Sequence, residues 1–487
     1  MALEVVLISP KYLKKETLSW NLSYALEEAS KMWKQPIRSP SYPLALPLIA
    51  SLIQKVKKDC NIQIIDENVH EIDFSNIKPD LICITANTLQ VERSFQIANS
   101  FREKNPEVKV LLGGAHFRGS TKTDEIIKEA LNYADSIVIG ESDNLWKEIL
   151  NDFEQKRLKD TYQCDNVLQL DKLVLPRFDL LPLESYLFRN LEASRGCNRR
   201  CSFCNVKTHL RFKEANNVIE EIKYLRKIEH VKRIEHRSIF FTDNIFNPEN
   251  PDEINKVKEL MEKLIQYKEK KYLGDEISWS GQVSSKIGME EFDDLLNLMV
   301  RAGAKRLLIG FESFYFEKDP LNKEKYPPKE KKERFLNSVK KVRDKGIDVI
   351  ASFMVGFDNE PDSILKEIYY FINESGLVLV QVTVLTPFPG TKDFKRLREE
   401  GRLLKKDGHY EWNKYDCTNF VYKFCVHPKN IKNKQLEYYK LFKKIYNNNA
   451  IENRIRIRQK ALPYEPKELF SEKLIIKSFQ KVAQSLN

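Results

Sequence analysis

Short apolar segments alternate with helical patterns along most of this chain, and this alternation limits its fold more than any other feature. Continuous apolar strands separated by helices are typical of a parallel sheet that helices cover on both faces. We therefore predict an α/β fold that begins with a doubly wound, Rossmann-like parallel-sheet domain over residues 1–152. Any ligand of this domain would lie beyond the carboxyl ends of its strands. The predicted strands are at 3–9, 61–66, 80–85, 108–113 and 135–140, and helical patterns lie at 44–56, 90–104 and 124–132.

The alternation restarts near residue 190, and six further strand and helix units predict a partial (β/α)6 barrel over residues 188–400. Sites in such barrels lie at the carboxyl ends of the strands. Between the two domains, residues 153–187 contain Pro176 and Pro182 with little periodicity, which predicts a linker. Residues 401–487 are rich in Lys, Tyr and Asn and predict a helical C-terminal region. The barrel strands are predicted at 190–194, 238–242, 277–282, 306–310, 349–355 and 379–385.

Composition limits the class of protein. A chain of 487 residues is expected to form two or three domains. Its apolar runs are too short for a transmembrane segment, and the N-terminus resembles a first strand rather than a signal peptide, so we expect a cytoplasmic protein. The net charge of +11 is spread along the chain, which speaks to solubility. We expect no nucleic-acid partner.

Three of the eight cysteines are clustered in the sequence SRGCNRRCSFCNV, directly after a predicted strand. Cys197, Cys201 and Cys204 are separated by three and then two residues, a spacing that wraps a short loop around three corners of an iron–sulfur cubane. The fourth iron would stay open, and the amino and carboxylate groups of S-adenosylmethionine (SAM) would fit there. Gly196 allows a tight turn, and Phe203 offers an aromatic face to an adenine.

A structural zinc site is the alternative for this loop. Zinc requires a fourth ligand at an ordinary spacing, and His209 is the only nearby candidate. The remaining cysteines are scattered, so they form neither a paired zinc motif nor a disulfide framework. The sequence therefore favours the iron–sulfur cluster.

The loop resembles the signature of the radical SAM superfamily, and residues at later strand ends resemble that family's other motifs. The resemblance implies a [4Fe-4S] cluster on the three cysteines that reductively cleaves SAM. Taken singly, Asp243 and Glu312 could instead cap helices, and Gly356 and Pro387 could be turn residues. The resemblance implies SAM contacts at Thr242, Asp243 and Asn244, at Gln282 and Ser284, at Glu312 and Ser313, at Val355 and Gly356, and at Leu385 and Thr386.

The first domain resembles the cobalamin-binding-type domain that precedes many radical SAM barrels. The Asp-x-His-x-x-Gly motif of classical cobalamin proteins is absent, and neither histidine of this domain, His70 or His116, lies in that pattern. Cobalamin would therefore bind without a histidine on cobalt, or the domain has kept the fold without the cofactor. Strand-end residues that would allow a large planar ligand to approach the backbone are Gly113, Gly114, Gly140 and Glu141.

The resemblance implies a cobalamin-dependent methyltransferase that acts on an unactivated carbon and receives electrons from a donor such as ferredoxin or flavodoxin. The segment after the barrel resembles hopanoid methylases, which implies a lipid-like or natural-product substrate. His409, Tyr410 and Trp412 are candidates for its pocket, although aromatic residues here could equally be packing.

Three other functions remain open. The same scaffold could catalyse ring formation, rearrangement or oxidation without methyl transfer. An RNA-modifying methylthiotransferase would carry a second cysteine trio in its first domain, which Cys60 and Cys83 alone do not provide. A noncatalytic, metal-stabilised binding protein is the third alternative, and it would not explain the ordered strand-end motifs.

Overall fold

The structure, a computed structural model, describes most of the chain. The described residues are 2–12, 23–33, 35–164, 168–172, 174–206, 208–234, 237–315, 326–424, 431–459, 476–478 and 480–481.

The first domain is built on a parallel sheet of six strands in the order β2-β1-β3-β4-β5-β6. Helices cover both faces, and for this reason β5 is buried along its whole length. The predicted doubly wound fold is confirmed. The strands are β1 (Leu3–Ser9), β2 (Cys60–Asp66), β3 (Leu81–Thr85), β4 (Lys109–Gly113), β5 (Ser136–Ile139) and β6 (Thr161–Gln163), and the helices are α1 (Ser23–Trp33), α2 (Ala45–Val56), α3 (Val91–Lys104), α4 (Glu125–Leu131) and α5 (Trp146–Glu154).

The second domain contains six parallel strands in the order β14-β13-β12-β11-β10-β7, as the partial barrel predicts. Its strands are β7 (Arg189–Leu191), β10 (Ile239–Phe241), β11 (Trp279–Ser284), β12 (Ala304–Glu312), β13 (Asp348–Val355) and β14 (Leu379–Val384), and its helices are α6 (Ala215–Val231), α7 (Pro251–Lys270), α8 (Asp293–Arg301), α9 (Pro328–Asp344), α10 (Ile364–Glu374) and α11 (Lys392–Glu399).

Two short antiparallel strands, β8 (Ser194–Arg195) and β9 (Arg211–Phe212), form a separate hairpin after β7. The sequence did not predict them, because two residues are too few to show a strand period. This hairpin carries the three cysteines.

The segments around the barrel differ in part from expectation. Residues 153–187, expected as a linker, contribute β6 to the edge of the first sheet. Residues 401–424, expected to be helical, are mostly irregular, and helices begin only with α12 (Ile431–Ile445) and α13 (Asn448–Gln459). Short 3-10 helices lie at Thr88–Gln90, Leu170–Lys172, Phe178–Leu180, Leu183–Ser185, Tyr272–Gly274, Ser285–Gly288, Glu290–Phe292 and Trp412–Lys414.

The two domains share one apolar core. A single cluster of buried side chains extends from Val6 in the first sheet to Val384 in the second. Tyr42 and Asn190 tie the domains together, since the Tyr42 hydroxyl donates to the Asn190 carbonyl at 2.7 Å and the Asn190 amide donates to the Tyr42 carbonyl at 2.9 Å. Among the described residues, no helix is both long and apolar enough to cross a membrane.

Candidate active site

The cysteine loop, residues 196–206 and 208–210, connects β8 to β9. The two ends of the loop lie close together, and we call this part of the hairpin its base. The amide of Cys197 donates to the carbonyl of Thr208 at 3.0 Å. Gly196 has φ +97°, and a Cβ there would lie 2.0 Å from the carbonyl oxygen of His209. Only glycine therefore fits at this position.

The loop directs amide groups at two of its sulfurs. The amide of Arg199 donates to Cys197 Sγ at 3.4 Å, and the amide of Val206 donates to Cys204 Sγ at 3.5 Å. Hydrogen bonds of this kind stabilise thiolates and tune the potential of a cluster. All three cysteines are partly exposed. Three accessible sulfur donors on one short loop are a donor set that fits a [4Fe-4S] cluster.

No group of three His, Cys, Asp or Glu residues in the described part of the chain could hold a single metal ion. The cysteines of a cubane bind separate irons, so a cluster loop does not require its sulfurs to converge on one point.

A cavity of about 1270 Å³ adjoins the loop. Cys197 and Cys201 line one side, and the chain after β11 and β12 lines another. Its wall combines apolar side chains with ion pairs such as Arg199 with Glu249 at 2.9 Å. Apolar lining residues include Ile245, Met289, Phe314 and Tyr315.

The barrel sheet has a second accessible surface, which we call the inner face. Buried and half-exposed residues alternate along β11, β12 and β13. The buried residue Phe311 packs on Phe335 of α9, so the half-exposed residues point away from the helices. The inner face comprises Ser280, Gln282, Leu308, Gly310, Glu312, Ile350, Ser352 and Met354.

Gln282 and Glu312, both expected to contact SAM, therefore share the inner face. Glu312 has φ +59°, which is uncommon for a residue other than glycine, and the register shifts between Gly310 and Glu312. Bulges at strand ends re-aim side chains beside active sites. The irregularity at Glu312 thus falls where the sequence predicted a functional carboxylate.

Thr242, Asp243 and Asn244 attach the end of β10 to β7 and to the cysteine hairpin. Asp243 is fully buried and accepts hydrogen bonds from the amide of Ala193 at 3.0 Å and the hydroxyl of Ser194 at 2.6 Å. Burial raises the pKa of Asp243 to about 7. The Asn244 amide donates to the Gly196 carbonyl at 3.2 Å, and the Thr242 hydroxyl donates to the Leu191 carbonyl at 3.1 Å. These bonds fix the end of β10 to the end of β7, to the start of β8 and, through Asn244, to the first residue of the loop.

Ser284 is also engaged by the chain. Its hydroxyl accepts from the side-chain amide of Asn247 at 3.0 Å. Its backbone amide donates to the side-chain oxygen of Asn247 at 2.7 Å. Ser284 therefore fixes the chain after β10 against the end of β11.

The ends of the fifth and sixth barrel strands lie side by side. The amide of Leu385 donates to the carbonyl of Val355 at 2.8 Å, and the Thr386 hydroxyl donates back to the Val384 carbonyl at 3.1 Å. Gly356 has φ +111°, and its carbonyl accepts from the Tyr422 hydroxyl at 2.5 Å.

Glu360 is a site residue that the sequence analysis missed. Its carboxylate accepts from the Ser313 hydroxyl at 2.5 Å and from the amides of Gly356 at 2.7 Å and Phe357 at 3.2 Å. Burial raises the pKa of Glu360 to about 7. Glu360 thus joins the ends of β12 and β13. In the sequence, only its position four residues after Gly356 could have indicated that Glu360 belongs to the site.

Phe203 lies on the cysteine loop with its ring centroid 6.2 Å from that of Phe357, which follows β13. The structure therefore brings the loop and the end of β13 together.

The glycines after β4 and β5 differ in their surroundings. Gly114 has φ +108°, and a Cβ there would lie 2.6 Å from the Ala86 carbonyl. Gly114 therefore allows close packing against the backbone of this chain rather than against a ligand. A Cβ on Gly113 would touch Val138 at 3.5 Å, whereas one on Gly140 would meet nothing within 4 Å. Gly140 is therefore the glycine of this edge with open space beside it.

Glu141 pairs with two arginines of the β8–β9 hairpin. It lies 3.1 Å from Arg195 and 2.6 Å from Arg211. Although desolvation opposes the effect, hydrogen bonding by Arg211 and the charges of both guanidinium groups lower the pKa of Glu141. Glu141 therefore contacts the second domain rather than an open surface.

The aromatic residues after the barrel form packing between the domains. Trp412 is buried and contacts His116 and Tyr410, with ring centroids 4.8 Å away in each case. Tyr410 is also buried, and its hydroxyl donates to Glu125 of α4 at 2.8 Å. His409 is exposed. None of the three is among the residues that line the described cavity beside the cysteine loop.

The cysteine hairpin at the carboxyl end of a partial barrel defines the class of protein. Residues 191–372 match the model of the Radical SAM superfamily. Residues 191–372 therefore form a radical SAM domain, and such a domain implies a [4Fe-4S] cluster and SAM.

The curated relatives of this chain include methyltransferases. The chain is 25% identical over 431 residues to bacteriochlorophyllide d C-12(1)-methyltransferase of Chlorobaculum tepidum, covering 85% of each protein. It is 27% identical over 404 residues to the C-8(2)-methyltransferase of the same organism, covering 79% of this chain and 82% of the relative. Hopanoid C-2 methylase of Rhodopseudomonas palustris is 21% identical over 75% of this chain and 66% of its own length.

A solved structure shares the whole fold. The cobalamin-dependent S-adenosylmethionine radical enzyme OxsB, with aqua-cobalamin bound, superposes with a TM-score of 0.63 at 14% identity. The match covers 99% of this chain and 81% of OxsB. The predicted succession of a Rossmann-like domain and a partial barrel is confirmed.

Proposed function

We propose that this enzyme is a cobalamin-dependent radical SAM methyltransferase that adds a methyl group to an unactivated carbon of a lipid-like or natural-product substrate. The observation that carries the proposal is the cysteine loop, whose Cys197 and Cys201 line a cavity of about 1270 Å³. The curated relatives named above are methyltransferases of bacteriochlorophyllide d and a hopanoid C-2 methylase, and the proposed substrate class follows theirs. The cavity has room for a large ligand, and its wall carries both apolar and charged side chains.

Cys197, Cys201 and Cys204 would hold the [4Fe-4S] cluster. Bound there, the cluster would supply the electron for reductive cleavage of SAM. Asn244 fixes the start of the loop through its hydrogen bond to Gly196. The polar groups of Gln282 and Glu312 on the inner face suit the amino, carboxylate and ribose groups of SAM. The electron would come from a donor such as ferredoxin or flavodoxin.

Backbone groups at Val355, Gly356 and Leu385 are proposed to read the adenine of SAM. Glu360 fixes this strand end by accepting from the amide of Gly356, which leaves carbonyl lone pairs, rather than that amide, for the adenine. Thr386 sits beside the same strand ends.

Cobalamin would serve as the methyl carrier at the carboxyl edge of the first sheet. Gly140 leaves room at this edge, since a Cβ on it would meet nothing within 4 Å. His116 is buried, its Nδ1 lies 3.2 Å from the Thr88 hydroxyl, and burial lowers its pKa to about 3. His70 follows β2, an edge strand, and is exposed. Both placements favour binding without a histidine on cobalt.

Anaerobic reconstitution followed by iron and cobalt analysis tests the two cofactors separately. We expect four irons and one cobalt per chain, with transfer of a deuterated methyl group from SAM to an apolar substrate. A variant with Cys197, Cys201 and Cys204 replaced by alanine should lose iron and SAM cleavage. Cys60→Ala, in β2, is the matched control and should keep both. Iron without cobalt, together with SAM cleavage but no methylated product, would overturn the proposed methyl transfer.

A further inference from the structure

The base of the cysteine hairpin has an unusual charge arrangement. Strands β8 and β9 pair over only two residues each, and Arg195 lies directly opposite Arg211. Like charges at directly opposed positions destabilise an antiparallel pair. A hairpin this short has little other pairing to offset the repulsion.

The compensating charge comes from the first domain. Glu141, directly after β5, places one carboxylate oxygen 3.1 Å from Arg195 and the other 2.6 Å from Arg211. Asp143 adds a second contact to Arg195 at 2.9 Å. The Glu141 side chain is only 11% exposed, so solvent screens these contacts weakly.

The two arginines depend on Glu141 to different degrees. Arg195 is also held by Glu192 of its own domain at 2.8 Å. In the described part of the chain, Arg211 forms its carboxylate contact with Glu141, and its remaining hydrogen bond goes to the carbonyl of Leu168 at 2.7 Å. Loss of Glu141 would therefore leave Arg211 facing Arg195 without a bridging charge.

We infer that Glu141 is a positioning residue for the cluster: by bridging Arg195 and Arg211 it closes the base of the cysteine loop, so that docking of the first domain sets the loop's geometry. Gly196 and Cys197 follow Arg195 directly, and the hydrogen bond from Cys197 to Thr208 lies at the same base. This inference depends on the cluster and not on methyl transfer.

Hydrogen exchange of the cluster-free protein provides the first test. In Glu141→Gln, amides of residues 194–212 should exchange about tenfold faster, the factor expected for loss of one charge-assisted contact. Glu125→Gln is the matched control, because Glu125 is also a first-domain carboxylate bonded across the domain contact, to Tyr410 of the segment after the barrel, but does not touch the hairpin. Exchange in 194–212 that is the same in both variants would overturn the inference.

The double variant Glu141→Gln, Arg211→Gln separates bridging from general loosening. Removing Arg211 removes the repulsion that Glu141 offsets, so exchange should return most of the way to the rate of the unaltered protein. Additive effects of the two substitutions would contradict the inference. If Glu141→Gln does not fold, Arg211→Gln alone carries the test: it removes the repulsion and leaves Arg195 paired with Glu141, so exchange in 194–212 should match that of Glu125→Gln, and faster exchange would count against the inference.

Iron release from the reconstituted enzyme to a chelator is the second test. It should be about tenfold faster in Glu141→Gln than in Glu125→Gln, for the same reason, while the unfolding midpoints of the two variants stay similar. Glu141→Asp, which keeps the charge, should restore slow release. Equal release from Glu141→Gln and Glu125→Gln would overturn the inference.

Discussion

Glu360 joins two strand ends at the cost of burying a carboxyl group. Burial raises its pKa from an ordinary value of 4.5 to about 7, so the folded state disfavours the carboxylate. Between these two values the unfolded chain binds fewer protons at this group than the folded protein does. Its contribution to stability is therefore present below about pH 4.5 and falls as the pH rises to about 7.

Glu360→Gln should remove this pH dependence, because glutamine does not ionise. We expect the loss of stability between pH 5 and 8 to be smaller in the variant than in the unaltered protein, which urea unfolding at the two pH values measures. Asp243, whose pKa burial also raises to about 7, keeps its contribution in both proteins, so the difference isolates Glu360. Equal slopes would contradict the assignment.

Gly196→Ala tests the base of the cysteine loop at a single atom. The new Cβ would lie 2.0 Å from the His209 carbonyl, so the loop must open, and we expect the variant to lose most of its bound iron. Gly346→Ala is the control, since Gly346 has φ +82° and a Cβ there would meet nothing within 4 Å. This variant should lose only about 1 kcal/mol of stability, the cost of a left-handed backbone conformation for alanine. Iron content after reconstitution checks both. Full iron in Gly196→Ala would show that the loop tolerates a wider base.

Residues whose chemistry is local were predictable from the sequence, whereas residues defined by distant contacts were not. The spacing of Cys197, Cys201 and Cys204 identified the loop without any fold. Glu141 was expected to face a ligand, but it contacts Arg195 and Arg211, which are more than 50 residues away along the chain. No local pattern encodes such a contact.

At the scale of elements, buried parallel strands such as β3 and β5 were predicted well because they are continuous apolar runs bounded by polar residues. The strand β6 and the hairpin of β8 and β9 were missed, since two or three residues show no period. The segment 401–424 was expected to be helical, yet its aromatic residues serve a packing contact between domains. Apolar content alone does not distinguish these outcomes.

Trp412 tests whether segment 401–424 secures the two domains. Its side chain is 2% exposed and packs on His116 of the first domain and Tyr410 of the same segment. Trp412→Ala should lower the free energy of unfolding by ~3–5 kcal/mol, the usual cost of removing a buried tryptophan. Tyr370→Ala, at a side chain that is 58% exposed, should change it by at most ~0.5 kcal/mol. Urea unfolding measures both, and similar small effects would show that the segment contributes little to docking.

At the scale of the whole molecule, the order of domains followed from the sequence but their docking did not. The boundaries predicted at residues 152, 187 and 400 remain predictions. The contacts that join the domains, such as Tyr42 with Asn190, link residues 148 positions apart. The docking of the domains therefore depends on contacts that form only in the folded protein, and it brings the carboxyl end of β5 against the cysteine hairpin.

Continuity of the core predicts how the protein unfolds. Separate domains unfold in separate transitions when their contact is small and polar. Here one apolar cluster includes residues of both sheets, and Tyr42, buried within it, bonds to Asn190 of the second domain. We expect a single calorimetric transition for the cluster-free protein, with equal calorimetric and van't Hoff enthalpies. Two resolved transitions would show that the shared core does not couple the domains, and Trp412→Ala, which weakens their contact, should then separate them further.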